Sequence, residues 1–287
     1  MCWGRWFLVW STLLAAACGS TQSPKGVATN PPGADAISTP TPPPGPQPTL
    51  PPPQTSGVRT VISSIGVNLR DVDASSGNVI GTLGQGALLT VLRYSDRTTG
   101  WYRVRGETLT GWISADPDLT ATGRFNKYQS TARGFNALYP QSWTFSDTSA
   151  VVIFRPQSGQ QSIFVKTAPS VSALGPPGRQ GYVSVGSQDV VVCGVTGSFA
   201  NYEVSSGVTP PPVPRGQPPA LFGLSQIRLK LDTSRALEMD YNWATADQLL
   251  TFRNFYDSVT FPSPQCQRQA SSASASASPS ASPSASF

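Results

Sequence analysis

Few side chains in this sequence have a type and spacing suited to chemistry. Glu238 and Asp240 stand two apart in the run Leu237-Glu238-Met239-Asp240-Tyr241. On a strand, that spacing sends both carboxylates to one face. A carboxylate pair is what an acid/base hydrolase needs. Leu237, Met239 and Tyr241 claim the opposite face, however, so the simpler expectation is that Glu238 and Asp240 face solvent. Asp71-x-Asp73-x-Ser75 has the opening of a calcium loop, but Thr82 stands where the bidentate Glu belongs. The chain has no histidine, which removes the commonest general base and the commonest zinc ligand. No phosphate-binding glycine loop, GxSxG elbow, SxxK pair or metal-ligand spacing is present. These residues imply no catalytic set, no metal and no cofactor.

Cysteine divides between two roles. Cys193 and Cys266 are an even pair in a chain that reads as exported, which suggests a disulfide closing a loop of 73 residues. The alternative is a free thiol nucleophile, with no histidine to lower its pKa. Cys18 follows Arg5 and the apolar run Trp6–Ala17. That run is shorter than the roughly 20 residues a membrane span requires and fits the apolar region of a signal peptide. Leu14-Ala15-Ala16-Ala17-Cys18 resembles the lipobox of bacterial lipoproteins, with Leu four residues before the cysteine rather than the usual three. The resemblance implies that Cys18 is lipidated and becomes the mature N-terminus. It would then hold the protein on the extracytoplasmic face of the cell membrane. The other reading is an ordinary secretory signal cleaved near Ala17.

Composition separates these residues into segments. The chain has 287 residues, 28 of them Pro and 26 Gly, and only 12% are charged. That composition suits β-rich modules joined by unstructured connectors. Residues 1–18 are the signal segment. Residues 19–56 are Pro-rich, have almost no large apolar side chains and are expected to be a disordered tether. As polyproline II at about 3.1 Å per residue, the tether would reach roughly 100 Å. Residues 267–287 are a Ser/Ala/Pro tail, also disordered by composition. The net charge is +5, but six arginines and six acids balance across 57–119. No basic-aromatic array marks a nucleic-acid surface.

Residues 57–122 alternate short β-type runs with turns. Leu88, Thr90 and Leu92 alternate with Leu89, Val91 and Arg93; Tyr102 and Val104 alternate with Trp101, Arg103 and Arg105. The stretch resembles a bacterial SH3-like (SH3b) domain. The resemblance is carried by Val67-Asn68-Leu69-Arg70, Val79-Ile80-Gly81-Thr82-Leu83, Leu89-Thr90-Val91-Leu92, Gly100-Trp101-Tyr102-Arg103-Val104 and Gly111-Trp112-Ile113. Asp71-Val72-Asp73 replaces the Gly-Pro common in that family at the edge of the ligand groove. The resemblance implies a small all-β barrel that binds cell-wall peptide or another envelope ligand. Parity places Trp101 opposite Val104, so one of the two should leave the core, and an exposed tryptophan would offer flat apolar area. The candidate ligand-binding residues are Asn68, Arg70, Tyr94, Trp101 and Trp112, although both tryptophans also suit core packing.

Residues 124–266 read as a second, α+β domain. Strands are expected over 134–140, 150–155, 162–167, 189–193, 201–204, 226–232 and 237–243, with a Pro-rich surface loop at 208–219. Thr245-Ala246-Asp247-Gln248 is a capping box. Leu249, Phe252, Tyr256 and Val259 then make one helical stripe. Phe135, Tyr139, Pro140, Trp143 and the segment 249–261 resemble the PsbP/Mog-type α/β/α sandwich, a family mostly of non-catalytic binding or accessory modules. The whole reads as a multidomain, monomeric, non-enzymatic envelope lipoprotein whose partner is peptidoglycan or an envelope protein. The alternatives are a wall-targeted hydrolase with its site in the second domain, and a passive scaffold of an envelope complex.

Overall fold

The computed structural model describes residues 52–95, 100–205, 223–262 and Cys266. The signal segment with Cys18, most of the tether, the loop 208–219 and the tail lie outside the described residues.

Seven short strands build the first module: β1 (Gly57–Val61), β2 (Val67–Arg70), β3 (Val79–Leu83), β4 (Leu88–Ser95), β5 (Trp101–Arg105), β6 (Thr110–Ser114) and β7 (Thr120–Thr122). They form one sheet in the order β3-β2-β6-β5-β4-β1-β7. Val61, Val67, Leu69, Leu89, Val91, Tyr102, Val104 and Ile113 share a single buried cluster. Inward residues of five strands can meet in one cluster only if the sheet curls around it. A bulge between Val91 and Arg93 breaks the β4 alternation. It moves Arg93 off the face of Leu89 and Val91 and onto the outer face.

The second domain is built on another seven-stranded sheet: β10 (Trp143–Asp147), β11 (Val152–Pro156), β12 (Ser162–Ala168), β13 (Tyr182–Val192), β14 (Val195–Val204), β15 (Gly223–Lys230) and β16 (Ala236–Trp243). Its order is β10-β11-β12-β16-β15-β14-β13, and every neighbouring pair is antiparallel. A hairpin of β8 (Phe125–Ser130) and β9 (Phe135–Pro140) and the helix α1 (Leu249–Asp257) cover one face. The capping box forms at Thr245 and Gln248, and a 3-10 turn at Ala246–Gln248 leads into α1. Phe252 stacks on Tyr241 at 5.3 Å, and Phe255 meets Phe154 at 5.0 Å. The sheet is α+β in character. The named helix among the described residues is α1, and it lies on one face of the sheet.

A connection covers the opposite face instead. β12 lies in the middle of the sheet and β13 at its edge, so residues 169–181 must cross β16, β15 and β14. Gly178, at φ 77°, brings the backbone against Tyr202, whose ring a Cβ there would meet at 2.9 Å. Cys193 and Cys266 are joined as a disulfide.

Candidate functional site

Four of the five sequence-predicted residues, Asn68, Arg70, Trp101 and Trp112, lie on the outer face of the first module, where Trp112 is itself largely buried at 9% accessible. Antiparallel register pairs Arg93 with Arg103, Arg103 with Trp112, and Trp112 with Arg70. These four side chains therefore make one row across β4, β5, β6 and β2. The Arg93 guanidinium stands over the Trp112 ring at 5.1 Å, a cation–π contact. Arg93 and Arg103 are exposed and Arg70 half-buried. Arg70 Nη1 donates to the Gly77 carbonyl at 2.5 Å, which ties the loop 71–78 to the strand it leaves.

Trp101 lies one step along the same face, paired with Ser95 and Ser114. It is outside the core cluster, as its parity requires, but it is not the exposed platform its position suggests: only 6% of it is accessible. Ser95 Oγ donates to Asp73 Oδ2 at 2.7 Å, so the loop 71–78 folds back to the strand position beside Trp101. Asp71 closes the same loop by accepting from the Asn78 backbone and side-chain amides, both at 2.9 Å. Asp71 and Asp73 therefore pin the loop at both its ends. Asn68 is half-buried on the outer side of β2 and accepts from Thr82 at 3.3 Å. Tyr94 is not part of this surface. It turns inward against Tyr102, ring to ring at 5.4 Å. Sequence reasoning missed Arg93 and Arg103, because unbroken alternation puts Arg93 with Leu89 and Val91.

The carboxylates of the second domain need a correction. Glu238 and Asp240 do not face solvent; each is only 2% accessible. The alternation is as expected, with Leu237, Met239 and Tyr241 packed toward α1, but the other face of this central strand is buried as well. Glu238 accepts from Lys166 Nζ at 2.7 Å and from Arg228 Nε at 2.8 Å. Asp240 accepts from Gln226 at 2.9 Å and from Lys166 at 3.4 Å, with Arg179 at 3.6 Å. Arg228 also donates to the carbonyls of Gly175 and Pro176, and the Gly178 amide donates to Gln226. The crossing segment is thus held down by the groups that neutralise the acids. Burial works to lower the Lys166 ammonium, but Glu238 and Asp240 outweigh it and the net shift is upward. Two carboxylates shared among three cations make a structural network that ties the crossing segment to the sheet.

A cleft of about 560 Å³ opens where β7 runs into β8, lined by Arg124, Phe125, Gln141, Asp247, Thr251 and Asn254 among others. It offers one carboxylate and no nucleophilic thiol. Among the described residues no three of His, Cys, Asp or Glu stand together as a metal set.

Comparison with known proteins agrees with the first module. Residues 65–116 match the family model described as bacterial SH3 domain. No curated protein matches the chain. Among solved structures the chain is similar to the solution structure of cyanobacterial PsbP (CyanoP) from Synechocystis sp. PCC 6803. That match has 14% identity, covers 49% of this chain and 94% of that one, and has a TM-score of 0.36. The chain carries a bacterial SH3 domain at residues 65–116.

Proposed function

We propose that this is an exported, non-catalytic protein of the cell envelope. Its SH3-like module takes a cell-wall peptide or another envelope ligand on the face of Asn68, Arg70, Trp101 and Trp112. Lipid on Cys18 anchors it to the extracytoplasmic face of the membrane, a disordered Pro-rich tether lifts it off that surface, and the PsbP/Mog-type domain behind it is a binding or accessory module. One observation carries the reading: the outer face of the SH3-like module sets the exposed Arg93 and Arg103 beside the largely buried Trp112, while the acids considered for a targeted hydrolase are buried and ion-paired.

Two measurements test it. The mature protein mixed with purified cell-wall sacculi is expected to co-sediment, and Asn68→Ala and Trp112→Leu to co-sediment less, with thermal melts confirming that both variants fold. Wild-type protein left in the supernatant overturns the wall reading. Cys18→Ser is expected to move the protein from the membrane fraction to the medium; retention at the membrane overturns the anchor.

A further inference from the structure

The row Arg93–Arg103–Trp112–Arg70 is a costly way to build a sheet. Arg93 and Arg103 are direct cross-strand partners, and like charges in that position destabilise a sheet. None of the ion pairs among the described residues includes Arg70, Arg93 or Arg103. Elsewhere among the described residues Arg133 pairs with Asp147, Arg228 with Glu238 and Arg235 with Asp232, while Arg155 and Lys230 stand in no ion pair but have no cation as a direct cross-strand partner. The Arg93–Trp112 cation–π contact offsets this in part, and a local rule broken at exposed positions marks a candidate functional position.

We infer that this row is a binding site for an oxyanion-bearing linear polymer of the envelope, with successive phosphate or carboxylate groups set against the guanidinium groups. Adjacent strands stand about 4.8 Å apart, so the row spans about 14 Å across four strands, long enough for a chain rather than a lone ion. Guanidinium forks match phosphate and carboxylate geometry. The Arg93 guanidinium is preorganised by the Trp112 ring beneath it, which lowers the cost of ordering it on binding. No acid lies in the row, so a ligand carrying ammonium groups would meet only like charge there. This deepens the envelope reading above and rests on it for the setting, not for the chemistry.

The test uses the full protein with two soluble probes, short-chain inorganic polyphosphate and poly-L-glutamate, titrated calorimetrically at low and moderate salt. Binding to at least one is expected, and the better probe tells whether phosphate or carboxylate is the source. The double reversal Arg93→Glu/Arg103→Glu places acids at exposed positions. It is expected to weaken binding at least 10-fold while leaving the thermal melt in place. Arg155→Glu/Lys230→Glu changes the net charge equally at exposed positions of the second domain and is expected to weaken binding less than 2-fold. Failure of both polymers to bind overturns the inference, as does equal weakening by the two double reversals, which would leave only net charge. Sacculus co-sedimentation separates this from the wall reading. Polymer binding through the row without sacculus binding removes the wall and keeps the site; sacculus binding that survives the row reversal, with no polymer binding, does the opposite.

Discussion

Asp257 is a buried carboxyl whose environment opposes its charged form. It ends α1 beside the SH3-like module, largely buried, and its Oδ2 has no hydrogen-bond partner. Arg253 lies 3.7 Å away but also binds Asp118 of the other module. Burial, then Asp118 and Asp116, push the Asp257 carboxyl up to about 7 against the pull of Arg253. The folded protein therefore keeps a proton that the unfolded chain releases from about pH 4. That contribution is fully present at acid pH and is lost as pH rises toward 7, at no more than about 1.4 kcal/mol per unit. Thermal melts of the wild type are expected to fall between pH 5 and pH 8. Asp257→Asn, which cannot ionise, is expected to flatten that slope and to melt higher than wild type at pH 8. An unchanged slope would place the titration elsewhere.

At the scale of elements, the central strand β16 and the turn after β13 carry the stability arguments. Removing one partner from a buried ionic network costs about 3–5 kcal/mol, because it strands the other charge. Glu238→Ala leaves Arg228 with 10% of its side chain accessible and no carboxylate. Denaturant unfolding should report a loss of about 3 kcal/mol, with the SH3-like module's ligand binding unchanged. Replacing both partners, as Glu238→Leu/Arg228→Met, should cost less than the single change. Cys193 stands in the two-residue turn between Val192 and Val195, at φ 47°, followed by Gly194 at φ 74°. Positive φ at both positions suits a tight hairpin. From this turn the disulfide reaches Cys266, closing a loop 73 residues apart in sequence. Chain-entropy arguments assign it about 4 kcal/mol. Cys193→Ser/Cys266→Ser should lose stability of that order without loss of the antiparallel sheet signature in circular dichroism.

At the scale of the whole molecule, the two modules share a seam as well as a chain. Ile62, Ala121, Leu138 and Phe125 form a small apolar cluster across it. Gln85 Nε2 bridges it, donating to Ile62 O at 3.0 Å and Ser258 O at 2.8 Å. The Arg253–Asp118 pair crosses the same seam. The SH3-like face is thus held at a set orientation to the domain behind it.

Much of this organisation is written in local sequence. The capping box at Thr245 and Gln248 announced the helix, and turn-bounded alternation announced the curled sheet of 57–122. The even cysteine pair pointed to the disulfide. Tertiary structure decided what those patterns leave open. Alternation along β16 says that Glu238 and Asp240 share a face, but not that the face is buried; the segment 169–181 crosses it only because β13 lies at the far edge. A single bulge at Leu92 turns Arg93 outward and completes a row with Arg103, Trp112 and Arg70. Parity sets Trp101 outside the core, and a loop pinned by Asp73 folds back to the strand beside it. Period and composition are local properties; burial and register depend on which distant strands become neighbours, and only the folded chain contains that information.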